Sequence, residues 1–237
     1  MLGAVLFDLD GTLLDIDLDH FFREYFAALG PVVSEALGRG GDVRTGLNAV
    51  LNGTEAMSLS HAGRTNREVF NERFRELTGA DLDIEEYAVV FERFYADVFP
   101  TLRGTMGPMP DARRAVTTAL ELGVKVAIAT NPIFPRSAIE ERMRWADVAD
   151  LPVHVVTDYE TMHAAKPNPA YFLETAHMLG VEPGDSLMVG DDRVLDMAAA
   201  DVGMRTFYVG RQSGPVCDWT GSLSDLADLL PRLTHKD

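Results

Sequence analysis

The feature that most constrains the fold of this chain is a regular alternation of apolar strands and amphipathic helices after Pro110. Strands are predicted over residues 124–130, 152–158, 186–192 and 205–209, with helices between them. An alternation of this kind is typical of a mostly parallel sheet with helices on both faces. Because a further buried strand is predicted over residues 4–8, the sequence indicates an α/β fold with a Rossmann-like sheet.

A long helical segment interrupts this alternation after the first strand. Its apolar residues recur at steps of three and four, beginning with Leu18 and Phe21, as they do on one face of a helix. We therefore predict an all-helical domain over residues 15–100. It would be inserted into an α/β core made of residues 1–14 and 101–237.

Composition limits the kinds of partner this chain can have. The 237 residues carry 21 basic and 37 acidic side chains, a net charge of −16. Such a charge argues against a nucleic acid or an anionic membrane as partner. The apolar runs are too short to span a bilayer, and no signal peptide is recognised, so a cytoplasmic location is expected. The sequence leaves open whether the protein is a monomer or a homodimer.

Polar side chains follow three of the predicted strands. They are Asp8 and Asp10, Thr130 and Asn131, and Asp191 and Asp192. In open α/β sheets, ligands bind beyond the carboxyl ends of the strands, so these side chains are predicted to face one pocket. Lys166 lies in a loop after another strand and can reach the same place.

The carboxylates in this pocket need a cation. Two unit charges about 4 Å apart repel by about 4 kcal/mol at an effective dielectric of 20. Because the set contains oxygen donors and neither His nor Cys, it favours a hard ion, above all Mg²⁺. Together with Lys166, the metal would attract an anionic substrate. Thr130 and Asn131 offer neutral hydrogen bonds suited to phosphate oxygens.

Four short motifs now carry a family resemblance. They are "DLDGT" at 8–12, "TN" at 130–131, "KP" at 166–167 and "GDDRVLD" at 190–196. In this order they resemble the motifs of the haloacid dehalogenase-like superfamily. The helical segment lies where that family places its helical cap, between the first and second motifs.

The resemblance implies a role for each motif residue. Asp8 would be the nucleophile that forms an aspartyl-phosphate, and Asp10 would be the general acid and base. Asp8, Asp191 and the backbone carbonyl of Asp10 would bind Mg²⁺. Thr130 and Lys166 would hold the phosphate.

The remaining predicted site residues have supporting roles. Asn131 and Leu9 would contact the substrate, while Asp192 and Asp196 would orient the metal site from behind. In the polar stretch 60–67, Arg64 is a candidate for contact with the substrate from the cap. Asp15 is expected either to cap the first inserted helix or to be an exposed acid.

The reaction implied is Mg²⁺-dependent hydrolysis of a small phosphorylated metabolite. A phosphomutase of the same family would use the same aspartates. Asp10 argues against the dehalogenase branch, which has no acid at that position. Residues 15–100 contain no lysine, which argues against a phosphonate-cleaving relative that would need one there. A non-catalytic binding module that keeps the fold is the alternative from another class.

Overall fold

The structure, a computed structural model, describes residues 1–38, 42–59, 61, 63–210 and 217–234. The strands are β1 Ala4–Phe7, β2 Leu14–Asp15, β3 Gly107–Pro108, β4 Lys125–Ile128, β5 Val155–Val156, β6 Ser186–Gly190, β7 Arg205–Val209 and β8 Trp219–Gly221. Six of them form one parallel sheet in the order β5-β4-β1-β6-β7-β8. The predicted α/β class and Rossmann-like sheet are confirmed.

Eight α-helices accompany the sheet in the described residues. They are α1 Leu18–Leu37, α2 Val43–Met57, α3 Asn66–Thr78, α4 Glu85–Arg93, α5 Ala112–Glu121, α6 Arg136–Trp145, α7 Pro169–Leu179 and α8 Leu223–Thr234. Shorter helical turns cover Phe94–Val98, Phe99–Arg103, Pro183–Asp185 and Met197–Val202. In this part of the chain, no helix has both the length and the apolar character needed to cross a bilayer.

The two faces of the central strand β1 belong to different apolar cores. Val5 and Phe7 pack in the core that contains α5 and α8. Ala4 and Leu6 pack in the core that contains α7. Side chains alternate along a strand in this way, and all four are fully buried. Helices therefore cover both faces of the sheet, as the sequence predicts.

The chain enters and leaves the helical segment through two short strands that lie side by side. Strands β2 and β3 pair antiparallel, with Leu14 opposite Pro108, so the outgoing and returning chains lie side by side. Between them, α1 to α4 pack on one another and on the loop that follows β4. Aromatic rings fill that contact, with the ring centroids of Tyr25 and Phe134 only 5.4 Å apart.

Local capping explains where two of the helices begin. Asp17, not Asp15, caps α1, because its side chain accepts a hydrogen bond from the amide of His20. Asp15 lies in β2 and is exposed, so the second of its two expected readings is correct. The Asn168–Pro169 pair predicts a helix start, and the side chain of Asn168 does cap α7 by accepting a hydrogen bond from the amide of Ala170.

The structure corrects three details near the C-terminal half. The sequence pattern predicts a helix over about 194–202, whereas the structure has a 3₁₀ segment over Met197–Val202. Side chains of Asp192 and Asp196 accept from backbone amides at the start of this stretch, which competes with helical hydrogen bonds. Strand β8 was not predicted because it has only three residues. The sequence predicts that the last helix ends at about Leu230, whereas α8 continues to Thr234 and Leu233 packs on the core.

Candidate active site

Three strand ends meet at one edge of the sheet because β1 lies between β4 and β6. Asp8 follows β1, Asp191 follows β6, and Asn131 follows β4. The residues of β1 pair in parallel register with those of both neighbours, so the three carboxyl ends lie level. The sheet topology thereby brings together the side chains that the strand ends single out.

Lys166 connects two of the acids in this cluster. Its Nζ donates to Asp8 Oδ1 at 2.9 Å and to Asp196 Oδ1 at 2.6 Å. The exposed fractions of the three side chains are 1%, 11% and 2%, in the same order. One buried ammonium group is therefore shared by two carboxylates, and negative charge is left in excess.

The third carboxylate, Asp191, lies against the turn that follows β1. Thr12 donates its hydroxyl hydrogen to Asp191 Oδ1 at 3.1 Å. A Cβ atom at Gly11 would lie only 2.4 Å from Asp191 Oδ2, and Gly11 has a φ of 82°. Both observations require glycine at this position. The "GT" of the first motif therefore makes room for Asp191 and holds its carboxylate.

The donor set of this cluster suits a hard cation. Asp8, Asp191 and Asp196 each offer an oxygen, and these atoms lie within 4.8 Å of one another. Oxygen-only sets of this kind favour Mg²⁺. Both oxygens of Asp196 are already engaged, one by Lys166 and the other by the amide of Asp192 at 3.0 Å. Asp8 and Asp191 are accordingly the better placed carboxylates for an ion.

Burial and crowding change the proton affinity of these groups. Burial raises the pKa of Asp196 to about 7, with Asp8 adding to the rise and Lys166 opposing it. Burial and the nearby Asp8 raise the pKa of Asp191 to about 6. For Lys166, burial lowers the pKa, but Asp196 and Asp8 more than offset this and leave the net pKa above its usual value. Lys166 therefore remains protonated, whereas Asp191 and Asp196 hold a proton more tightly than an exposed aspartate does.

Asp10 lies in a loop, because β1 ends at Phe7. Its position relative to Asp8 is set by this turn, where Asp10 bridges to Leu14, rather than by the alternation of a strand. Its Oδ2 accepts a hydrogen bond from Nη1 of Arg142. Burial raises the pKa of Asp10; Arg142 opposes the rise and Asp8 adds to it.

Arg142 is not among the residues that the sequence motifs single out. It lies on α6, is 1% exposed, and stacks its guanidinium over Phe134 at 4.5 Å from the ring centroid. A signal for its inward direction exists in the sequence. Arg142 follows Ala138 by four residues, and the helical spacing from Ala138 and Ile139 to Met143 marks the apolar face on which it lies.

Thr130 and Asn131 are held by neighbouring loops. The carbonyl of Thr130 accepts hydrogen bonds from Thr157 Oγ1 at 2.7 Å and from the hydroxyl of Tyr171 at 2.9 Å. Asn131 Oδ1 accepts from the amide of Lys166 at 3.1 Å. The loop after β4 and the loop that carries Lys166 are thus joined directly beside Asp8.

Three other predicted site residues do not point a side chain into the carboxylate cluster. Leu9 has a buried side chain, and its carbonyl accepts from backbone amides of the turn that follows. The Oδ1 of Asp192 accepts from the amides of Val194 and Leu195 at 2.7 and 2.8 Å. Arg64 pairs with Glu72 on the surface of the helical segment, about half exposed, and is not brought to the cluster.

Asn66 connects the helical segment to both of these loops. It is fully buried, and its Nδ2 donates to the carbonyls of Pro132 at 3.0 Å and Ala164 at 3.2 Å. These carbonyls lie next to Asn131 and two residues before Lys166. Contact of α3 with the core is therefore linked to the loops that carry two predicted phosphate ligands.

A cavity of about 440 Å³ lies beside the site, between α1–α4 and the loop after Asn131. Its walls are mostly apolar and include Phe26, Phe70 and Phe134, with Arg67, Glu92 and Glu160 as charged members. The acids of the cluster do not line this cavity. Phe134 separates it from Arg142, which in turn contacts Asp10.

Comparison with known proteins adds independent findings. A family model described as haloacid dehalogenase-like hydrolase matches residues 2–202. The chain is 28% identical over 243 residues to phosphoglycolate phosphatase 1 of Pseudomonas aeruginosa, covering 96% of this chain and 78% of that protein. It is 28% identical over 228 residues to a phosphatase of Mycobacterium tuberculosis, covering 96% and 95%.

Among solved structures, the crystal structure of a HAD phosphatase from Thermococcus onnurineus shares the fold. It matches with a TM-score of 0.58 at 24% identity, covering 97% of this chain and 98% of that one. The likeness therefore extends over the helical segment as well as the sheet.

Proposed function

We propose, since this chain belongs to the haloacid dehalogenase-like hydrolase family, that it is a phosphatase acting on a small phosphomonoester metabolite. The observation that carries the proposal is the arrangement of Asp8. Its carboxylate lies beside Lys166 and Asp191 at the end of the central strand, with Asp10 two residues later. The relatives named as phosphatases support the same reaction class.

In this proposal Asp8 attacks the phosphorus atom and forms an aspartyl-phosphate. Lys166 offsets the charge of Asp8 and, with Thr130 and Asn131, binds the phosphate oxygens. Asp10 gives a proton to the leaving oxygen and then takes one from the water that hydrolyses the intermediate. Leu9 contributes contact to the substrate through the turn in which it lies.

Mg²⁺ is the proposed cofactor, held by Asp8, Asp191 and the backbone carbonyl of Asp10. When bound, it supplies positive charge that favours a phosphate and its transition state. Asp196 positions Lys166 from behind, and Asp192 positions the turn that carries Asp196. The excess negative charge of the cluster supports the presence of a cation.

We further propose that residues 15–100 act as a cap over an α/β core of residues 1–14 and 101–237. The paired strands β2 and β3 support this division, because they carry the two chain segments that would connect the cap to the core and about which the cap could move. The cavity beside Phe134 offers room for the organic part of a substrate. Closure would exclude bulk water from the phosphate. Arg64 remains a predicted substrate contact from this cap, and the cytoplasmic location also remains a prediction.

Activity on para-nitrophenyl phosphate tests the proposal directly. Turnover is expected with Mg²⁺, none with excess EDTA, and none for Asp8→Ala. Asp15→Ala is the matched control, because Asp15 is an exposed acid close in sequence, and it should keep wild-type activity. Retained activity in Asp8→Ala contradicts the nucleophile assignment, and an inactive wild-type protein with Mg²⁺ favours the non-catalytic alternative. A phosphomutase would release phosphate slowly and interconvert two sugar phosphates.

A further inference from the structure

The pair formed by Arg142 and Asp10 has a consequence for the proton transfers of the proposed reaction. Arg142 projects from α6 and reaches Asp10 across the loop that follows β4. The ion pair is largely buried: Arg142 Nη1 donates to Asp10 Oδ2, and the two side chains are 2% and 16% exposed. Burial of a guanidinium is costly unless it is paired. The burial of Arg142 therefore indicates that its guanidinium does more than add charge to the surface.

The guanidinium is fixed from two further directions. Its plane lies over Phe134, and its Nε donates to the carbonyl of Ala138 at 3.5 Å. A planar fork held in this way has little freedom to turn. The direction from which it approaches Asp10 is consequently set by α6 and by the aromatic ring.

The two oxygens of Asp10 are unequal as a result. Oδ2 is engaged by Arg142, whereas Oδ1 is buried and bonds to no described protein group. Nη2 of Arg142 is likewise buried without a partner. A buried polar atom without a partner is rare and calls for a ligand or a chemical role.

We propose that Arg142 is a positioning residue for Asp10, which holds Oδ2 and leaves Oδ1 as the atom that carries the catalytic proton. This rests on the proposed phosphatase function. In the first step an Asp8 oxygen bonds to phosphorus, the bond from phosphorus to the leaving oxygen breaks, and the proton on Oδ1 passes to that oxygen. In the second step a water oxygen bonds to phosphorus, its proton passes to Oδ1, and the bond between Asp8 and phosphorus breaks.

The test compares two substrates that differ in their need for a proton. Phenyl phosphate has a poor leaving group, and para-nitrophenyl phosphate has a good one. For Arg142→Gln, kcat/KM should fall on the order of 100-fold with phenyl phosphate, as for loss of a general acid. It should fall by a much smaller factor with para-nitrophenyl phosphate. Because kcat/KM reports the steps up to formation of the aspartyl-phosphate, later hydrolysis does not obscure the comparison.

Two further variants keep the test decisive. Arg142→Lys retains the charge but not the planar fork, so its substrate ratio should lie between those of wild type and Arg142→Gln; it also serves if the glutamine variant fails to fold. Arg144→Gln, two residues along α6 and exposed, should keep the wild-type ratio. A ratio that is unchanged in both Arg142 variants overturns the inference. Absence of Mg²⁺-dependent hydrolysis in the wild-type protein would instead overturn the proposed function.

Discussion

Replacing Lys166 with methionine should destabilise the metal-free protein strongly. The substitution keeps an apolar chain of similar length but removes the cation that bonds to Asp8 and Asp196. The carboxylate oxygens of these residues lie within 4.8 Å of each other. Two unit charges at that separation repel by about 3.5 kcal/mol at an effective dielectric of 20. A loss of about 3–5 kcal/mol in unfolding free energy is also typical when one partner of a buried ion pair is removed.

Urea denaturation followed by the fluorescence of Trp145 and Trp219 measures this loss. Lys125→Met is the matched control, since Lys125 is an exposed lysine at the start of β4, and it should change stability by less than about 0.5 kcal/mol. In excess EDTA the Lys166 variant should lose about 3–5 kcal/mol, and Mg²⁺ should restore part of it. If both variants lose the same small amount in EDTA, the shared-cation interpretation is refuted.

Two further changes probe the surroundings of the site. Burial raises the pKa of Glu160 from 4.5 to about 7, and the hydrogen bond from the amide of Arg136 opposes the rise. Between these two pH values the folded state binds more protons than the unfolded state. The free energy of unfolding should therefore fall as the pH rises through that interval. At pH 8, Glu160→Gln should therefore be more stable than wild type by about 1 kcal/mol, a figure that allows for the partial exposure of Glu160. At pH 4 the two proteins should be equally stable, and parallel denaturation curves measure both differences. Asn66→Ala should cost about 2–3 kcal/mol, because two buried carbonyls lose their donor. It should also weaken inhibition by inorganic phosphate, whereas exposed Asn48→Ala should change neither quantity.

Each of these predictions has a distinct contrary outcome. Equal pH dependence in wild type and Glu160→Gln would show that Glu160 titrates normally. If Asn66→Ala lost stability but phosphate inhibited it as strongly as wild type, the contact of α3 with the core would not affect phosphate binding by the loops that carry Asn131 and Lys166.

Much of the sheet and of the acidic cluster can be read from the sequence for a physical reason. A parallel sheet places the carboxyl ends of its strands at one edge, so polar residues after strands become neighbours. Asp8 and Asp191 follow the adjacent strands β1 and β6, and the loop after β5 brings Lys166 to Asp8 and Asp196. Apolar periodicity predicts α1 and α5 for a similar reason, since each buries a single continuous face, and the Asn168–Pro169 pair predicts the start of α7.

The remainder depends on contacts that are distant in sequence. Arg142 stands among other charged residues on α6, and nothing local shows that Asp10 is its partner. Asn66 looks like an ordinary first residue of a helix, yet it is buried against carbonyls of two core loops. The division into cap and core at residues 14 and 100 stays a prediction.

The central claim is that Asp8 becomes phosphorylated, and peptide mass mapping tests it most directly. The Asp10→Asn variant, which lacks the base for the second step, is mixed with para-nitrophenyl phosphate and Mg²⁺, quenched in acid and digested with trypsin. The account predicts one added phosphoryl group on the peptide Met1–Arg23, located at Asp8 and absent when Mg²⁺ is replaced by EDTA. A phosphoryl group on another residue, or none while para-nitrophenol is released in a first-turnover burst, would contradict it.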